Sequence, residues 1–165
     1  MNLRIFALLG IAAFIVAGVF IYFEKPLAPE VSFTTLQNER LTTTALHGKV
    51  VLVNFWATTC STCIEEMPDL IKTYNKFATH GLEIIAVAMD YDPEAQVRAY
   101  TAKAALPFKV ALDADGETAL GFKGIRMTPT TFLIDRQGRI VHTYLGIPDF
   151  GALHALLEKL LAMPT

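Results

Sequence analysis

Residues 50–63 read VVLVNFWATTCSTC: an apolar, largely β-branched run up to Trp56, three small or polar residues, and then the two cysteines of the chain, Cys60 and Cys63. The unbroken apolar character of residues 49–55 (KVVLVNF) is the pattern of a strand buried on both faces. Beyond Cys60 the period changes. Ile64, Met67, Leu70, Ile71, Tyr74, Phe77 and Ala78 recur at intervals of three and four, which predicts a helix over residues 60–80 with Gly81 as its stop and Pro68 as a kink. A cysteine at such a strand-to-helix junction has a chemical use. Backbone N–H groups of the first turn and the helix dipole stabilise a thiolate at Cys60, and Cys63, one turn on, can resolve a mixed disulfide by closing the ring with Cys60. Stapling is a weak motive for the pair, since closing so short a loop is worth on the order of 2 kcal/mol. A zinc site would need a second pair or histidines at ligand spacing, and His47, His80, His142 and His154 show none. No metal is expected, and no cofactor other than the redox-active Cys60–Cys63 pair itself.

Working outward, residues 82–89 (LEIIAVAM) read as a second buried strand, and Asp92 with Pro93 as an N-cap and first-turn pair opening a helix to about Ala105. Residues 130–134 and 139–145 flank Asp135, Arg136, Gln137 and Gly138, a hairpin signature, and Asp149 is read as the cap of a terminal helix to about Ala162. Strands alternating with helices, then a hairpin and a final helix, predict an α/β domain: a mixed central sheet with helices on both faces.

The 165 residues are 53% hydrophobic and 18% charged, with a net charge of −2, which excludes a disordered chain and argues against a nucleic-acid binder. Residues 5–23 (IFALLGIAAFIVAGVFIYF) carry no charge. As a helix they reach roughly 28 Å, enough to cross the hydrocarbon core of a bilayer. The run ends in aromatics rather than in a small-x-small cleavage site, which favours an uncleaved signal anchor over a cleaved signal peptide. Arg4 and the terminal amine precede the span, so residues 1–4 are read as cytoplasmic and residues 24–165 as extracytoplasmic, periplasmic in a bacterium with two membranes. Arg4 is the only charge ahead of residue 24, so the exported part holds 13 basic and 16 acidic residues. Residues 24–33 (EKPLAPEVSF), with two prolines, are read as a short stiff linker and residues 34–165 as the folded domain.

VVLVNFWATTCSTC, Pro68 and residues 124–141 (GIRMTPTTFLIDRQGRIV) together resemble the thioredoxin superfamily, and more narrowly its membrane-anchored TlpA/ResA/CcmG-type thiol:disulfide oxidoreductases. The resemblance covers nearly all of residues 29–162. It implies a thioredoxin-like fold and places Thr128 and Pro129 in a cis-proline loop beside the cysteines, where the Thr128 backbone pairs with an extended substrate. Met127, where many members have glycine, joins them at the substrate groove. Trp56 is placed there too, although large aromatics usually serve packing. The implied partners are exported client proteins with cysteine pairs, apocytochrome c among them, and a membrane thiol donor such as DsbD or CcdA.

Three departures stand out: Asn54 replaces the buried aspartate of cytosolic thioredoxins, Thr59 replaces a tryptophan, and Ser61–Thr62 replace a pair that usually ends in proline. With no aspartate at residue 54, proton transfer falls to Glu66. On a helical wheel Glu66 lies about 60° from Cys63, at the edge of the apolar stripe, whereas Glu65 points to solvent. A carboxyl there has reason for a raised pKa and for exchanging a proton with Cys63, and the resembled subfamily has an acid at this position. The expected function is reduction of exported disulfides. The alternatives are a disulfide oxidase or isomerase, or a redox-inert binding module. Peroxiredoxin chemistry is disfavoured because no P-x-x-x-T-x-x-C signature surrounds Cys60.

Overall fold

A computed structural model describes residues 25–163; the candidate membrane span at residues 5–23 lies outside them. Among the described residues seven strands form one mixed sheet in the order β2-β1-β5-β4-β3-β6-β7. They are β1 (Ser32–Thr35), β2 (Arg40–Thr42), β3 (Val50–Trp56), β4 (Leu82–Ala88), β5 (Lys109–Leu112), β6 (Thr130–Ile134) and β7 (Ile140–Leu145). β3, β4 and β5 run parallel, while β1, β6 and β7 join antiparallel. The helices are α1 (Ser61–Phe77), α2 (Glu94–Ala104), α3 (Glu117–Gly121) and α4 (Phe150–Ala162). No helix among the described residues is long and apolar enough to cross a membrane.

Every residue of β3 and of β4 is buried, and the two-residue period of a strand sorts them into two cores. Val50, Leu52 and Trp56 face one way, with Met67 and Leu70 of α1, Val97 of α2 and Leu153 and Leu157 of α4. Val51, Val53 and Phe55 face the other, where Phe55, Phe122 and Phe132 pack ring to ring. Three long helices therefore cover one face. The opposite face carries the five-residue α3, a 3₁₀ turn at Thr44–Leu46 and the irregular segment before β1.

That segment falls within the range read as a linker, and it is bonded to the domain. Ala28 donates to the Gly138 carbonyl (2.8 Å), Ile140 donates to the Pro26 carbonyl (2.8 Å), and Ser32 and Phe33 already belong to β1. Thr43 fastens it further, its hydroxyl accepting from Val31 N–H and reaching the Pro29 carbonyl, both at 2.8 Å.

α1 runs unbroken through Pro68, and a 3₁₀ turn at Ala78–His80 ends at Gly81, whose φ of 102° suits glycine. The predicted hairpin forms, with Asp135 Oδ1 accepting from Gln137 and Arg139 N–H. Asp149 caps α4 through Gly151 and Ala152 N–H. The start of α2 differs from expectation. Pro93, not Asp92, is the N-cap residue, and the Asp92 carboxylate turns away to bond the loop before Cys60. β1, β2, β5 and α3 were not expected from the sequence, because each is too short to show a period.

Candidate active site

β3, an interior strand, ends at Trp56, and residues 57–59 turn the chain into α1. Asp92 holds this turn, its carboxylate accepting from Thr58 N–H (2.6 Å) and from the Thr58 hydroxyl (2.5 Å). Cys60 thereby becomes the N-cap residue of α1, in an extended conformation, with Sγ accepting from Cys63 N–H at 3.1 Å. A helix N-terminus leaves N–H groups without intrahelical partners, and here one of them points at a sulfur. The two cysteines form a disulfide with Cα atoms 5.2 Å apart. Their exposures differ: Cys63 is fully buried, whereas Cys60 is partly accessible. The sulfur that carries the helix N–H is thus the one a partner can reach.

Opposite Cys60, the Thr128–Pro129 peptide bond is cis, and the Thr128 carbonyl oxygen lies 3.5 Å from Cys60 Sγ. The loop is fixed from both ends. The Thr130 hydroxyl donates to the Met127 carbonyl (2.8 Å), and Gly146 N–H donates to the Pro129 carbonyl (2.9 Å). Met127 stands half exposed beside it. Cys60, Met127, Thr128 and Pro129 therefore meet at one edge of the domain. Trp56 does not join them: it is completely enclosed, its ring 5.4 Å from that of Tyr100, and it offers no surface to a substrate in this state.

Between α1, β3 and β6 lies a buried polar cluster. Glu66 sits one turn after Cys63 on α1 and has no exposed surface, whereas Glu65 is exposed. Asn54 Nδ2 donates to Glu66 Oε1 (2.7 Å) and to the Thr131 hydroxyl (2.9 Å). The β3–β6 register sets Asn54 directly across from Thr131. Burial pushes the Glu66 carboxyl up from 4.5 to about 7, against the smaller pull of the Asn54 amide, which favours the ionised form. Glu66 Oε2 and Asn54 Oδ1 have no protein partner. A protonated Oε2 is a donor and Asn54 Oδ1 is an acceptor, so the cluster can hold a proton without a buried charge.

From the sequence Asn54 is only a departure from the resembled pattern, and Thr131 and Asp92 have no place in the site. The inward period of β6 was a faint signal for Thr131. Asp92 gave none, because an Asp before a Pro reads first as a helix cap. Among the described residues no group of three or more His, Cys, Asp or Glu could hold a metal ion.

Residues 24–157 match the family described as Redoxin. The chain is 35% identical over 133 residues to the thiol-disulfide oxidoreductase ResA of Bacillus thuringiensis, a match spanning 81% of this chain and 76% of that one. Among solved structures it is similar to a protein assigned as a thioredoxin in Neisseria meningitidis, with 38% identity, a TM-score of 0.75 and coverage of 82% and 90% of the two chains. The thioredoxin domain of a thiol-disulfide oxidoreductase from Bacteroides vulgatus gives 27% identity, a TM-score of 0.71 and coverage of 81% and 96%.

Proposed function

Because the chain belongs to the redoxin family and, within the thioredoxin superfamily, to the ResA/TlpA-like thiol:disulfide oxidoreductases, we propose that it is a membrane-tethered reductant of disulfides in exported client proteins. That it is a thiol:disulfide oxidoreductase follows from the family together with the Cys60–Cys63 disulfide. The direction of electron flow, the clients and the anchor are the proposed part. The observation that carries the mechanism is the asymmetry of the pair, an accessible Cys60 sulfur bonded by a helix N–H and an enclosed Cys63.

In the reduced enzyme the Cys60 thiolate attacks one sulfur of a client disulfide. A mixed disulfide forms and the client's other sulfur leaves as a thiolate, taking a proton from solvent. The client backbone lies along Thr128, whose carbonyl already stands beside Cys60 Sγ. Ionised Glu66 then accepts the Cys63 proton, and the Cys63 thiolate attacks Cys60 Sγ. The Cys60–Cys63 disulfide closes and the second client thiolate is expelled, so two electrons have passed to the client. Asn54 and Thr131 hold Glu66 in place for this transfer.

Residues 5–23 as a signal anchor, residues 24–33 as its connection and residues 34–165 as an extracytoplasmic domain fit this role. So does a DsbD- or CcdA-like membrane donor that re-reduces the pair, with apocytochrome c among the clients. The redox potential of the full chain in detergent, equilibrated against thiol buffers and read by alkylation mass shift, tests the direction. The expected value lies at or below about −220 mV; a value near about −120 mV makes the protein an oxidant and overturns the proposal.

A further inference from the structure

A cleft of about 560 Å³ opens beside the cis-proline loop, on the face of the sheet that carries α3 and the segment before β1. Phe122, Phe132 and Ile140 belong to or pack against the second apolar core and line it. Leu27 from the segment before β1, Leu145 from β7 and Met127 form its walls, and all three are more than half exposed, at 65%, 68% and 51%. Contiguous apolar exposure of this kind marks a binding surface. The charged residues lining the cleft are Lys123 and Arg126, and no carboxylate is among its lining. Neither forms an ion pair among the described residues.

The cleft borders the loop that faces the reacting sulfur. Met127 and Thr130 line it and bracket Thr128–Pro129, and the Thr128 carbonyl is 3.5 Å from Cys60 Sγ. An extended chain advances about 3.3 Å per residue, so side chains two to four positions from a bound cysteine lie roughly 7–13 Å along the wall they follow. We propose that this cleft is a client-selecting subsite, taking a large apolar side chain two to four residues from the client's reacting cysteine, in a segment that also carries Asp or Glu to meet Lys123 and Arg126. The proposal rests on the thiol-exchange function above and narrows its substrate class. A polypeptide fits better than a lipid surface, because a bilayer seated on Met127 and Leu145 would close over the loop that a client backbone must pair with.

The test uses the reduced full chain in detergent and two disulfide-closed peptides of equal length, one with Phe and Glu near the cysteine and one with Ser and Lys. Each single-turnover rate is divided by the rate with hydroxyethyl disulfide, which is too small to reach the cleft. The Phe/Glu peptide is expected to react about tenfold faster than the Ser/Lys peptide. Leu145→Asn should erase the apolar part of that preference, and Lys123→Glu with Arg126→Glu should invert the preference between Glu and Lys. Equal rates for the two peptides, or a preference that the charge reversal leaves intact, overturns the subsite while leaving the oxidoreductase function standing. If the parent chain does not reduce hydroxyethyl disulfide at all, that function fails and the subsite with it. A second arm places the chain in phosphatidylcholine vesicles with and without phosphatidylglycerol. If the charge reversal matters only with phosphatidylglycerol present and the peptides react alike, the face docks on lipid and the proposal is overturned.

Discussion

Glu66 keeps its proton to about pH 7 in the folded protein, whereas in the unfolded chain it ionises near 4.5. Below pH 4.5 both states hold the proton and the group leaves stability untouched. As pH rises through that window the unfolded state releases its proton first, and by the time the folded carboxyl ionises about 3 kcal/mol of stability has been lost. Glu66→Gln is therefore expected to be more stable than the parent at pH 8 and to lose that advantage toward pH 5, as urea unfolding of the oxidised protein at both values would reveal. An advantage of equal size at both would mean that Glu66 is not buried as a neutral acid. The same variant should lose the limb near pH 7 in the pH profile of disulfide exchange. Removing the Asn54 amide takes away the one contact that favours the ionised form, so Asn54→Ala should raise the Glu66 pKa further, followed by the infrared band of the protonated carboxyl. The spacing of Cys60, Cys63 and Glu66 on one helix face was legible from the sequence, because a helix converts separation along the chain directly into direction. The partnership of Asn54 with Thr131 was not, since it depends on a strand register joining residues 77 positions apart.

At the scale of elements, two buried carboxylates fix backbone from positions other than that of an N-cap residue. Asp92 anchors Thr58 in the turn before Cys60. Asp113, just after β5, accepts from Thr118 and Ala119 N–H at 2.8 Å each and so fixes the start of α3, whose far end leads into residues 122–126 of the cleft. Losing both bonds frees a half-buried turn and leaves its donors without protein partners, so Asp92→Ala is expected to cost about 2 kcal/mol in urea unfolding. It should also change the alkylation rate of reduced Cys60, because the turn carrying that residue loses its anchor. A stability loss with unchanged alkylation would separate Asp92 from the reacting sulfur. The helices α1 and α4 were readable because a dozen or more residues repeat one choice of face, and β3 and β4 because seven residues buried on both faces leave an unbroken apolar run. The three- to five-residue elements β1, β2, β5 and α3 were not, since they are made by tertiary bonds to side chains such as Thr43 and Asp113.

At the scale of the whole molecule, the sheet is asymmetric: three long helices on one side, and on the other one short helix and residues 26–31 lashed down by Thr43 and β7. The two prolines of residues 24–33 suggested a free stiff spacer, and composition alone could not reveal that its carbonyls and amides are already engaged. Thr43→Val keeps the shape but removes the hydroxyl that both accepts and donates, and should cost about 1–3 kcal/mol. Faster amide exchange at Ala28 and Val31 should accompany that loss, and unchanged protection at those amides would show that Thr43 does not hold the segment. The same lashing bears on self-association. Exposed sheet edges template the pairing of foreign strands. Here β2, at one margin, is three residues long, and the first part of β7, at the other, is already paired with the chain's own Pro26–Ala28 stretch. Among the described residues the open margin of the sheet is thereby confined to the three residues of β2 and to residues 141–145 of β7, short runs along which another copy of the chain finds few bonds to make.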